Sequence, residues 1–206
     1  FLLSREISKN YKVAISGDGG DELLGGYERI YKTNSFIPND PMINQQCSLG
    51  AVKAYDAWSL WDIENGDMPG DENVLLASVD SGVQWDHPDL VDNIWQNLGE
   101  DADGDGVTMV QVGNTWVFDP GDQNYIDDDG NGLVDDLMGY DFVNDDNDPN
   151  DDNGHGSHVA GIAAAKANEV GLLGVNPEAR VLAIKVMDQH GNGTTSDVIR
   201  GVDYAV

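Results

Sequence analysis

The chain has a single cysteine, Cys47, in 206 residues, so no intrachain disulfide can form and the fold must be held by burial and polar pairing. A lone thiol of this kind is expected as a small, buried apolar side chain. No apolar run approaches the roughly 18 to 20 residues that a spanning helix needs, which argues against membrane insertion. Basic residues are scarce: ten Lys and Arg stand against 38 Asp and Glu, a formal net charge of −28. Such an excess repels nucleic acid and anionic lipid, and leaves cations as the natural partners. The chain opens at Phe1 with neither Met nor a charged-then-apolar leader, so its start is expected to lie upstream.

What is present is distributed unevenly. Residues 1–34 hold five bases (Arg5, Lys9, Lys12, Arg29, Lys32) and five acids (Glu6, Asp18, Asp21, Glu22, Glu28), a net charge of zero. The whole −28 therefore falls in residues 35–206, and from Glu100 to Asp152 there are seventeen Asp and Glu and no Lys or Arg. A shift this abrupt divides the chain into two modules, 1–34 and 35–206. At 40% hydrophobic residues, either one generous domain or two small ones can bury a core.

Alternating apolar runs and helical patterns predict an α/β fold, a parallel sheet with helices on both faces. A helix is expected over 49–61, with Leu49, Val52, Trp58 and Trp61 turned inward. Strands are expected ending at Asp80, over 140–143 and over 181–187, and a helix from His155. A last helix starts near Ser196, capped by Ser196 or Thr195, with Val198, Ile199, Val202 and Val206 as its buried stripe.

Two strings at element boundaries carry chemistry: Val79-Asp80-Ser81-Gly82-Val83 and His155-Gly156-Ser157-His158-Val159-Ala160-Gly161. Asp80 closes an apolar strand, where backbone rigidity would fix a carboxylate at the sheet's carboxyl edge. His155 lies between Gly154 and Gly156, which leave room for close approach, and an imidazole exchanges a proton near neutral pH. An Asp that holds a His in one tautomer is two thirds of a Ser-His-Asp triad.

These strings, with His87-Pro88-Asp89-Leu90 and Gly171-Leu172-Leu173-Gly174-Val175-Asn176-Pro177, resemble the subtilisin-like serine peptidases over about residues 36–206. The resemblance implies a subtilisin-like fold, peptide or protein substrates, an extracellular setting, Asp80 as orienting carboxylate and His155 as general base and acid. It also implies that Gly191, Asn192 and Gly193 pair with bound peptide, and that calcium is held by Asp89 and Asn168. The family's Gly-Thr-Ser-Met-Ala serine string and its oxyanion Asn do not occur among the 206 residues, and Ser196 matches a helix start. By that pattern the chain is a C-terminally truncated peptidase domain, inactive alone.

The acidic stretch contains Asp101-Ala102-Asp103-Gly104-Asp105-Gly106 and Asp127-Asp128-Asp129-Gly130-Asn131-Gly132, the latter running on to Asp135. Oxygen-bearing side chains at alternate places, with Gly at the sixth, let a loop wrap a hard cation. Asp101, Asp103, Asp105, Asp127, Asp129, Asn131 and Asp135 are the expected calcium ligands. Val112 and Met138 stand where a calcium hand has Glu. One alternative to a peptidase is a non-catalytic calcium-binding module.

The first module reads as strand, glycine loop and helix. Ser16-Gly17-Asp18-Gly19-Gly20-Asp21 resembles the synthetase domain of glutamine-hydrolysing asparagine synthetases, an ATP-dependent cytoplasmic enzyme. That resemblance marks Ser16, Gly17, Asp18 and Asp21 as its loop, within a fragment too short to hold an ATP pocket. A remnant of this ATP-dependent, glutamine-hydrolysing asparagine synthetase is the other alternative to a peptidase.

Overall fold

In the computed structural model the described residues are 40–61 and 68–206. Ser16, Gly17, Asp18 and Asp21 lie outside them. Among the described residues there are five strands: β1 (Leu75–Asp80), β2 (Met109–Val112), β3 (Thr115–Phe118), β4 (Gly139–Asp141) and β5 (Arg180–Lys185). The α-helices are α1 (Cys47–Ala51), α2 (Ala54–Trp58), α3 (His155–Ala164) and α4 (Thr195–Tyr204).

β5 is the centre of a parallel sheet of order β1-β5-β4, with Leu75 opposite Arg180, Asp80 opposite Lys185 and Asp141 opposite Lys185. Side chains of a strand alternate between faces. Val181 and Ala183 pack with Ala160 and Ala164 of α3 on one face, while Leu182 and Ile184 pack with Tyr204 of α4 on the other. Helices therefore cover both faces, which is why the strands read as unbroken apolar runs.

Gly139 shows how tightly β4 docks, since a Cβ there would stand 1.8 Å from the Ala183 carbonyl oxygen. The acidic stretch holds an antiparallel hairpin, β2 with β3, that its charge had concealed. Met109, Trp116 and Phe118 of the hairpin join the core around Val83 and Trp85, with Trp85 and Phe118 stacked at 5.0 Å.

Four expectations fail, three of them for a packing reason. The helix expected over 49–61 is two short helices, broken at Lys53 with φ 58°, so Leu49 and Trp58 are buried while Val52 and Trp61 face solvent. Cys47 is exposed, because α1 spends its inward position on Leu49. The valine stripe of α4 is not buried: Val198, Ile199, Val202 and Val206 are all exposed. The helix instead lays Gly201 on the sheet, where a Cβ would meet Val186 at 2.6 Å and Ile184 at 3.0 Å. Its cap is Thr194, whose hydroxyl accepts from the Asp197 amide at 3.1 Å.

Candidate active site

Asp80 and His155, seventy-five positions apart in sequence, meet at the carboxyl end of the sheet. His155 Nδ1 lies 2.8 Å from Asp80 Oδ1 and 3.0 Å from Oδ2. A carboxylate can only accept, so Nδ1 carries the hydrogen and Nε2 is left as the free basic nitrogen. Asp80 is fixed from three sides. It ends β1, its main-chain oxygen accepts from the Val186 amide at 2.8 Å, and its Oδ1 accepts from the Ser81 amide at 2.7 Å.

His155 is the first residue of α3, and its side chain is 62% exposed while that of Asp80 is 14% exposed. The hydrogen bond His155 donates to Asp80, then the Asp80 charge, raise the His155 pKa above the usual value; slight desolvation opposes them and the Asp151 charge adds to them. Glycine is obligatory beside the pair. A Cβ on Gly156 would stand 2.0 Å from the Gly82 carbonyl oxygen and 3.1 Å from the Asp80 Cβ, so a side chain there would separate helix from strand.

Sequence reading missed Asp151, four residues before the imidazole. Its Oδ1 accepts from the Ser81 hydroxyl at 2.8 Å and from the Asn153 and Gly154 amides, and its Oδ2 accepts from the Ser157 amide and hydroxyl. Burial works against its ionisation, but the Ser157 hydroxyl and these amides outweigh it and hold Asp151 below the usual carboxylate range. Gly154 caps α3 without a side chain, so Asp151 does the capping from farther back. The usable signal was an acid just ahead of a helix that opens without its own cap.

Lys185, 2% exposed, ties the same loop to the sheet: its Nζ lies 2.8 Å from Asp152, 3.8 Å from the buried Asp141 and 3.1 Å from the Asn150 carbonyl oxygen.

Other expected positions are placed as follows. Asp188 accepts from the amides of His190 and Asn192, and its own amide donates to the Asn192 carbonyl oxygen. Asn192 thus has its backbone groups turned into a closed turn with Gly191 at φ 76°, and Gly193 backs onto Val186. Asp89 is buried, and burial is the main cause that raises its pKa. Its Oδ2 accepts from Leu172, and its Oδ1 has no partner among the described residues. Nearby, the Asn168 amide donates to the buried Asp40. An orphaned buried carboxylate oxygen beside a second carboxylate and an amide side chain suits a hard cation.

The two acidic loops close in the same way. Asp101 accepts from the amides of Gly104, Asp105 and Gly106, and Asp127 accepts from those of Gly130, Asn131 and Gly132. The carboxylates that converge differ from those expected. Glu100, Asp129 and Asp136 each bring an oxygen within 4.8 Å of the others, as do Asp101, Asp103 and Asp122. Asp135 turns to the amides of Asn124 and Tyr125 instead, and Asp105 to that of Val107.

A family model described as the subtilase family matches residues 71–206. The chain belongs to the subtilase family. Among curated relatives, Subtilisin-like protease 1 of Plasmodium berghei (strain Anka) is 33% identical over 177 residues, covering 85% of this chain and 25% of that protein. Thermitase of Thermoactinomyces vulgaris is 33% identical over 171 residues, covering 82% of this chain and 44% of that protein. The halolysin-like extracellular serine protease Nep of Natrialba magadii is 30% identical over 173 residues, covering 82% and 24%. This subtilase chain thus spans between about a quarter and somewhat under half of these relatives. A second model, described as asparagine synthase, matches residues 1–78, a longer reach than the 34 residues read from sequence, and overlaps the subtilase match at residues 71–78.

Proposed function

We propose that the chain carries the Asp-His half of a serine endopeptidase active site, with Asp80 as orienting carboxylate and His155 as general base and acid. The observation that carries this reading is the Asp80 to His155 contact at 2.8 Å, with Nε2 left free. In such a site Nε2 takes the proton of a serine hydroxyl as it attacks the peptide carbonyl, and returns it to the leaving amine. Asp80 keeps the imidazole in the required tautomer and steadies the imidazolium.

Ser196 does not fill the nucleophile's place in this reading. It lies in the first turn of α4 behind the Thr194 cap, and none of the described residues hydrogen-bonds His155 Nε2. In this reading the substrate is a peptide or protein met outside the cell. Gly191, Asn192 and Gly193 form part of the rim that such a peptide would touch. Calcium is the proposed structural cofactor at Asp89 and Asn168, where the unpaired Asp89 oxygen supports it. In the acidic stretch the same role is proposed for the carboxylates that gather, Glu100, Asp129 and Asp136 in one group and Asp101, Asp103 and Asp122 in the other, rather than for Asp127, Asn131 and Asp135.

NMR titration of the His155 imidazole tests the pair. Its midpoint should lie above about 6.5 and fall in Asp80→Asn; equal midpoints in the two proteins would sink the reading. A fluorophosphonate probe should leave this chain unlabelled, and covalent capture at Ser196 would reassign the nucleophile.

A further inference from the structure

The turn at Gly191, Asn192 and Gly193 carries a reactive pair whatever its role toward peptide. Four asparagines in the sequence precede a glycine, Asn65, Asn131, Asn153 and Asn192, and the last three lie among the described residues. We propose that Asn192 is a site of self-modification, at which the Gly193 amide nitrogen attacks the Asn192 side-chain carbonyl carbon and converts the asparagine to aspartate or isoaspartate.

The step consumes only water. A bond forms between Gly193 N and Asn192 Cγ, the Cγ–Nδ2 bond breaks, and ammonia leaves with the proton that the amide gives up. Water then opens the cyclic imide at either carbonyl, which leaves a carboxylate where a neutral amide stood. A following glycine has no Cβ to crowd the ring. All three described pairs share that advantage, so sequence alone ranks them equally.

Tertiary structure separates them. Gly132 N donates to Asp127 Oδ2 at 2.8 Å, and Gly154 N donates to Asp151 Oδ1 at 2.8 Å. An amide held by a carboxylate must give up a charge-assisted hydrogen bond before it can turn onto the side chain behind it. Gly193 N donates to none of the described residues.

The side chains follow the same order. Asn131 Nδ2 donates to Asp129 at 3.1 Å and to both oxygens of Asp136, and its Oδ1 accepts from the Leu133 amide at 2.8 Å. Asn153 spans from the Gln189 carbonyl oxygen at 3.1 Å to the His155 amide at 3.3 Å. Asn192 is exposed, and its side chain makes one long contact among the described residues, Nδ2 to Asp188 Oδ1 at 3.4 Å. Only at Asn192 are nucleophile and carboxamide both loosely held.

Position gives the change a consequence. Asp188 closes the turn by accepting from the amides of Asn192 and His190 at 2.9 Å each, and these bonds hold its carboxyl below the usual carboxylate range. A carboxylate formed at position 192 would face that ionised group where a donor had stood, and like charges so close repel. Isoaspartate also lengthens the main chain by a methylene, beside a Gly193 packed so closely that a Cβ there would stand 2.3 Å from the Val186 carbonyl oxygen. The turn loosens, and where a peptide lies along it, as the peptidase reading has it, the rim gains negative charge.

Peptide mapping by mass spectrometry, on the folded chain held at mildly alkaline pH and sampled over time, tests the site. The tryptic piece 186–200, released by cleavage after Lys185 and Arg200, should gain about 1 Da ahead of the pieces that hold Asn131 and Asn153. Its lead should be about tenfold or more, the factor that a hydrogen bond to a charged group is worth. In urea the three should convert at similar rates, because the protection is tertiary. Equal rates in the folded chain, Asn131 or Asn153 ahead of Asn192, or an order that survives in urea overturns the proposal. Asn192→Asp should speed hydrogen exchange at the His190 amide, and unchanged exchange there overturns the loosening of the turn. The His155 titration midpoint is read separately, so this proposal and the peptidase reading can each fail alone.

Discussion

The carboxyl edge of the sheet and the acidic insertion use the same residue, aspartate, in opposite ways. At the edge each carboxylate is matched across the fold: Asp80 to His155, Asp151 to Ser81 and Ser157, Asp152 and Asp141 to Lys185. In the insertion Asp101 and Asp127 are matched within a few residues, by amides of their own loops. Distant partners lock elements together, so the edge is rigid and intolerant of change. Local partners fold a loop without tying it to the sheet, so these two carboxylates shape the insertion rather than anchor it. A carboxylate's function here follows from where its donors come from.

The largest blow to this contrast would be struck at Lys185. Lys185→Met leaves Asp141 buried and frees the loop before His155, and should cost about 4 kcal/mol in urea unfolding. A loss under about 1 kcal/mol would mean that the edge does not depend on matched charge.

Glycine substitutions sharpen the contrast next. Gly156→Ala forces a Cβ against the Gly82 carbonyl oxygen and should cost about 3 kcal/mol and lower the His155 titration midpoint. Gly132→Ala, at φ 95° with open space around it, should cost only the backbone strain, about 1 kcal/mol. Equal costs would erase the distinction.

Acidity separates the regions as well. Burial pushes the Asp136 pKa up to about 6, against hydrogen bonds from Tyr204 and Asn131. A carboxyl whose folded pKa is raised favours the folded state while protonated, so that contribution is present at low pH and lost as pH rises through about 6. In chelator, Asp136→Asn should flatten that decline. His155 has the same sign for a different reason: its pKa is raised by Asp80, so its stabilising contribution is present while it is protonated and fades as pH rises through the folded value.

The smallest effect concerns Asp151. Asp151→Asn keeps an oxygen for the helix amides and removes the charge, so the His155 midpoint should fall by less than in Asp80→Asn. A larger fall would make Asp151, rather than Asp80, the main partner of the imidazole.

Much of the fold was legible because burial on both faces leaves a plain trace. The apolar runs ending at Asp80 and over 181–187 predict strands covered on both faces, and the glycines around His155 announced a close approach. The hairpin β2-β3 escaped notice because its eight strand residues are flanked by carboxylates that mask their alternation. The stripe on α4 misled because Val198, Ile199 and Val202 satisfy helical periodicity, whereas Gly201 decides which face can approach the sheet. Among the sites, Asp80 and His155 were readable from motif and element boundary. The metal candidates were readable only as loops, since Asp122 lies sixteen residues beyond Gly106 and nothing local ties it to Asp101.

Sequence by itself determined the α/β alternation, the placing of an aspartate and a histidine at element boundaries, and the surplus of negative charge, because each is written in residue type and short-range order. Tertiary structure alone decided which carboxylates converge, which helix face is buried, and that Asp151 and Lys185 brace the loop before the imidazole. Those outcomes depend on distances between residues far apart in the chain, and such distances exist only once the sheet has formed.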